Sequence, residues 1–139
     1  MRPIYETKAD KARELGVVEY LQRKGYKFLY IETVPLASFD GYMARLDGTP
    51  FALVEIKNRR NASDAYPTYM ISASKVRAML ATAKAHQLRA LLFVRFTDGV
   101  FITRLEDNEQ TGEGGRYDRN DSRDIEECVY IPMERFRKL

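Results

Sequence analysis

The run Phe51-Ala52-Leu53-Val54-Glu55-Ile56-Lys57 constrains this chain more than any other stretch. Its branched and aromatic residues leave no solvated face, so it reads as a strand covered on both sides. A carboxylate is expensive to bury in such a strand unless it finds a partner. Side chains alternate across a strand, so Glu55 and Lys57 share one face while Val54 and Ile56 take the other. An acid and an ammonium therefore stand side by side at the end of a central strand.

Upstream, Asp47-Gly48 supplies the positive φ angles of a tight turn, which makes residues 41–46 and 51–57 the two arms of a hairpin. Asp40 lies just before the first arm, and the hairpin returns that point to the end of the second arm, where Glu55 lies. Two acids and a lysine are expected to converge there.

The rest of the chain fills in around this hairpin. Residues 4–24 read as a helix, with Ala12, Leu15, Val17, Val18, Tyr20 and Leu21 in an apolar stripe and Gly25 at its end. Residues 27–34 read as a strand stopped by Pro35. Residues 58–70, polar and interrupted by Pro67, read as a loop. Ser72 or Ser74 can cap a helix over about 73–87, with Val76, Met79, Leu80 and Ala83 on one face. Residues 91–96 and 100–105 read as two more strands. A polar, glycine-bearing loop over 106–124 then precedes a short strand near Cys128 to Ile131. The expected order is α-β-β-β-α-β-β, with a core over about 4–105 and a C-terminal strand and tail over 125–139. The alternating tail with Tyr130 and Phe136 either covers a sheet edge or pairs with a second subunit.

Composition narrows the function. At 139 residues the expectation is a single domain. One cysteine, Cys128, and one histidine, His86, exclude an internal disulfide framework and a Cys/His zinc site. Neither Ser38 nor Cys128 has a visible base partner, which argues against a covalent nucleophile. His86, near a helix end, reads as a cap or surface residue. Charges recur through the first thirty residues, so no signal peptide or membrane span is expected and the setting is cytoplasmic. Residues 1–103 hold 16 Lys and Arg against 10 Asp and Glu, and residues 104–139 hold 7 against 10. A body at +6 and a tail at −3 are compatible with a polyanion held against the body.

The residues at the hairpin end suit phosphodiester hydrolysis. Oxygen ligands from Asp40, Glu55 and the backbone carbonyl of Ile56 match what Mg²⁺ or Mn²⁺ prefers. Lys57 could orient an attacking water and stabilise charge on the phosphate. The spacing alone is not decisive. Glu6-Thr7-Lys8 has the same pattern on an apparent helix entry, and Glu55 with Lys57 also fits a plain ion pair at a strand end.

Asp40 with Val54-Glu55-Ile56-Lys57 on a hairpin, between an N-terminal helix and a following helix, resembles the PD-(D/E)XK nuclease superfamily, and within it the archaeal-type Holliday junction resolvases. The resemblance extends over about residues 9–105, although Phe39 stands where the superfamily's name has proline. It implies an α/β restriction-endonuclease-like fold, a mixed central sheet flanked by helices. It also implies a divalent-metal-dependent endonuclease acting on DNA, branched or structured DNA among its substrates, and a homodimer with two cutting sites. The family's helix glutamate, about three turns before a glycine-aromatic exit, falls on Glu14 rather than Glu19. A polar residue of the second helix, which several members place near the phosphate, falls on Lys75, equally readable as an ordinary exposed residue.

Beside the site, Lys57-Asn58-Arg59-Arg60 with Tyr66 and Tyr69 could grip DNA, the cations on phosphate and the rings on exposed bases. The competing reading is a non-catalytic or partner-activated nucleic-acid-binding module of the same fold.

Overall fold

The structure, a computed structural model, describes residues 19, 22, 23, 27–30, 39–45, 47–107, 109–115 and 125–139. Of the expected N-terminal helix, Glu19, Gln22 and Arg23 are described and helical. Glu14 lies outside the described residues, as does the stretch 31–38.

Six strands make one sheet: β1 (Lys27–Tyr30), β2 (Gly41–Ala44), β3 (Pro50–Asn58), β5 (Arg89–Phe96), β6 (Gly99–Arg104) and β9 (Arg137–Lys138), in the order β1-β2-β3-β5-β6-β9. Only β3 and β5 run parallel; the other pairings are antiparallel. The parallel pair needs a crossover, and the helix α1 (Ala73–Ala85) supplies it. The sheet is therefore mixed, and its central strand is β3, paired on both edges.

Both faces of β3 are covered, as its composition requires. Ala52, Val54 and Ile56 pack with Met43, Phe93 and Val100 on one face. Leu53 faces the other way, into a larger cluster with Val76, Met79 and Ala83 of α1 and Leu92 and Val94 of β5. Leu80, expected on the same helix face, is partly buried against this cluster.

The hairpin turn differs from the tight form expected. Among the described residues of the turn, Gly48 alone takes a positive φ, +91°. The Arg45 N–H donates to the Thr49 carbonyl (2.9 Å), the Gly48 N–H donates to the Arg45 carbonyl (2.9 Å), and the register shifts between Met43 and Ala44. Asp47 contributes through its side chain, whose Oδ1 accepts the Thr49 N–H at 2.9 Å. That bond holds the Asp47 carboxyl below its usual range.

Three other expectations are corrected. The segment 58–70 is not loop throughout, because Thr68–Ser72 forms β4, in which Tyr69 and Ile71 turn into the core while Met70 turns out. The segment 106–124 contains β7 (Thr111–Gly115), so it is not wholly a solvated loop. With β8 (Ile125–Pro132), these strands form a second sheet in the order β4-β8-β7. Glycine-rich β7 shows no apolar alternation. Its strand comes from pairing with β8, and a Cβ on Gly112 would stand 3.1 Å from the Tyr130 ring. Finally, Ser72 occupies the N-cap position of α1 without capping it; its hydroxyl meets Ser74 Oγ at 2.9 Å and Glu126 Oε2 at 3.2 Å.

The tail resolves toward covering an edge. Phe136 is buried in the main cluster, β9 pairs with β6, and the Leu139 N–H donates to the Val100 carbonyl at 2.9 Å. Exposed His86 holds the C-cap position of α1, its N–H donating to the Thr82 carbonyl at 3.2 Å. Among the described residues, no helix is long and apolar enough to cross a membrane.

Candidate active site

The register of the hairpin brings Asp40 to Glu55. Gly41 lies opposite Val54, and the Asp40 N–H donates to the Val54 carbonyl at 3.0 Å. The Asp40 carboxylate then takes over where β2 has ended, its Oδ2 accepting the Ile56 N–H at 2.7 Å. Because N–H and C=O of one strand residue point to the same edge, the Ile56 carbonyl is directed to the side where Asp40 lies.

Glu55 stands on the α1 face of β3 and is fully buried. Lys75 Nζ lies 2.6 Å from Glu55 Oε1, and Lys57 Nζ lies 3.4 Å from the same oxygen. The two ammonium groups oppose the carboxylate's charge at Oε1, and among the described residues Oε2 has no hydrogen-bond partner. Burial raises the Glu55 pKa above the usual carboxylate range, the Asp40 charge adds to the rise, and Lys57 and Lys75 oppose it.

Lys75 sits in the first turn of α1, where the helix dipole favours an anion and where no acidic residue is present. A cation there acts against the helix, and the buried Glu55 supplies the compensating charge.

The donor chemistry fits a hard divalent cation. Glu55 Oε2, buried and without a hydrogen-bond partner among the described residues, belongs to a carboxylate that neighbours Asp40 and the strand-edge Ile56 carbonyl, all oxygen donors. Among the described residues no three Asp, Glu, His or Cys side chains come together, so the set there is two carboxylates and one carbonyl.

The flanking residues divide. Arg59 and Arg60 are exposed where β3 ends. Tyr69, expected to stack on DNA bases, is instead a core residue at 4% exposure, its ring edge-on to Phe96 and Phe136. Burial pushes its hydroxyl pKa up. Its alternation within Thr68-Tyr69-Met70-Ile71 carried that signal, masked by Pro67 just before it. What Tyr69 does offer the surface is a seat, because the Arg59 guanidinium lies 4.8 Å above its ring. Tyr66 is open at 65% exposure.

A mixed sheet with a helical crossover, carrying paired acids and a lysine on its central hairpin, defines the PD-(D/E)XK class of nuclease folds. Solved structures agree on the fold. The Holliday junction resolvase Hjc of Archaeoglobus fulgidus superposes with a TM-score of 0.62 at 12% identity, over 95% of this chain and 93% of that one. A nuclease from a fusselovirus does so with a TM-score of 0.53 at 17% identity, over 99% and 91%. No curated protein matches the sequence. The family described as "Phage putative PDDEXK endonuclease" matches residues 1–139, and the chain belongs to it.

Proposed function

We propose that this protein is a divalent-metal-dependent endonuclease that hydrolyses phosphodiester bonds in DNA, with Asp40, Glu55 and Lys57 at its centre. The observation that carries this reading is the buried Glu55, which faces Lys57 and Lys75 and neighbours Asp40. A domain that only bound DNA would gain nothing from two carboxylates turned toward phosphate.

Asp40, Glu55 and the Ile56 carbonyl would hold Mg²⁺ or Mn²⁺, with Glu14 supporting it directly or through water. Such an ion, when bound, supplies positive charge against the phosphate and makes a neighbouring water more acidic. Lys57 orients the attacking water and donates to the oxygens on which charge develops. Lys75 holds the Glu55 carboxylate and stands near enough to share in binding the phosphate. Arg59 and Arg60 fix the DNA backbone along the exit of β3.

The whole chain acts as one nuclease domain in this reading, in the cytoplasm where its DNA lies. The substrate is branched or otherwise structured DNA, of the kind named for the archaeal resolvase. A homodimer supplies the second site that a symmetric two-strand cut requires.

The test incubates purified protein with labelled duplex, single-stranded, flap and four-way-junction DNA in Mg²⁺, Mn²⁺ or EDTA, beside Lys57→Ala. Metal-dependent cutting lost in the variant supports the reading, and the preferred DNA names the subclass. Binding without cutting of any substrate would return the protein to the class of binding or partner-activated modules.

A further inference from the structure

A groove of about 450 Å³ opens beside the candidate site, lined by Arg59, Asn61, Tyr66, Met70 and Tyr130 among others. It contains both large hydrophobic residues that stand exposed among the described ones, Tyr66 and Met70 at 65% and 39%. Exposed apolar side chains gathered in one concavity mark a contact surface.

Its chemistry is mixed in a specific way. The Arg59 guanidinium lies over the ring of Tyr69, 4.8 Å from its centroid, and that ring belongs to the core. The same groove thus combines aromatic side chains with a charged guanidinium. Aromatic rings and guanidinium planes are the surfaces on which unstacked nucleobases settle, and the cation also answers the phosphate.

The rim is built rather than loose. The Thr97 N–H donates to the Asn61 carbonyl at 3.1 Å, and the Met133 N–H donates to the Pro67 carbonyl at 2.9 Å. Ser63 donates to Asp98 through its N–H at 2.9 Å and its hydroxyl at 2.5 Å. A rim held in place loses less order when it takes a ligand.

The groove lies a short distance along the chain from the candidate site, its nearest lining residue in sequence being Arg59. Arg59 follows Glu55 by four residues, about 13 Å along an extended strand. The Arg59 guanidinium, 4.8 Å from the Tyr69 ring, brings the charged end of that stretch to the groove. A base in the groove and a phosphate at Glu55 would belong to the same short stretch of one DNA strand.

We infer that this groove receives an unpaired nucleobase of the DNA strand being cut, stacked on Tyr66 and Met70, with its backbone held by Arg59. The inference rests on the nuclease reading above and sharpens it. The preferred substrate carries an unpaired base beside the scissile phosphate, as at a flap or a bulge, because a paired base keeps its faces inside the duplex stack.

The test compares wild type, Tyr66→Ala and Tyr66→Phe on a fully paired duplex and on the same duplex with one unpaired fluorescent adenine analogue. Binding is read with Ca²⁺ in place of Mg²⁺, and cleavage in Mg²⁺. The expected result is quenching of the unpaired analogue and an affinity preference for the unpaired DNA of about tenfold or more in wild type. Tyr66→Ala should lose both, and Tyr66→Phe, which keeps the ring, should retain them. Cleavage of both DNAs without preference would overturn the groove's role and leave the nuclease reading standing. No binding and no cleavage of either DNA would overturn both. A concentration-dependent dimer that Met70→Glu dissociates, with no analogue quenching in wild type, would assign the groove to a second copy of the chain and overturn the inference.

Discussion

The two faces of β3 are made by one strand and serve opposite ends. Ala52, Val54 and Ile56 pack in an apolar cluster, and their burial stabilises the fold. On the other face Leu53 joins the core, but Glu55 stands two residues on, buried among charges and held above its usual pKa. A face built for stability would carry a second aliphatic residue there. The contrast teaches that β3 gives up stability on one side to hold a carboxylate dry and close to two lysines, while the other side anchors the strand.

The largest expected effect lies on the charged face. Lys57→Ala should lower cleavage by about a hundredfold or more while DNA binding persists, as gel shift and single-turnover cutting would read. Undiminished cutting would remove Lys57 from the chemistry and leave the pair as a plain ion pair. Asp40→Asn should abolish Mn²⁺ binding in calorimetry; an unaltered isotherm would place the metal elsewhere. On the apolar face, Val54→Ala should cost about 2 kcal/mol in denaturant unfolding, with the cutting rate per folded molecule retained. Loss of cutting without loss of stability would erase the distinction between the faces.

At the strand's exit, Arg59→Ala with Arg60→Ala should weaken DNA binding and flatten its log–log salt dependence by about 1.8, a share of 0.9 from each cation. An identical slope would route the DNA away from this end. The smallest effect is on pH dependence. The Glu55 pKa is raised on folding, so the folded state keeps its proton to higher pH than the unfolded chain. Stability then falls as pH rises from the ordinary glutamate range through the folded value. In EDTA, Glu55→Gln should raise Tm at neutral pH and lose that advantage on acidification. A lower Tm at neutral pH would mean that the two lysines more than offset the burial of the acid.

Much of this was legible from local pattern. The apolar run 51–57 names β3, the Asp47-Gly48 turn names the hairpin, and together they place Asp40 opposite the end of β3 without any long-range information. Lys75 was harder, since nothing in a helix's first turn says which buried acid it will reach. The second sheet was harder still, since β7 is Thr-Gly-Glu-Gly-Gly and exists as a strand only because β8 lies beside it. Tyr69 was misread because Pro67 masked the alternation of residues 68–71, while the rings that cover it, Phe96 and Phe136, come from distant parts of the chain.

By itself, then, the sequence determined what short-range rules encode: the period of two along β3, the turn that folds β2 back on it, and the convergence of Asp40 with Glu55 that follows. Only the tertiary structure decided what crosses between elements. It brought Lys75 onto Glu55, sank Tyr69 beneath Arg59, and opened the groove holding Tyr66 and Met70. Burial and charge pairing between segments far apart in the chain depend on packing, and no local pattern of residues specifies packing.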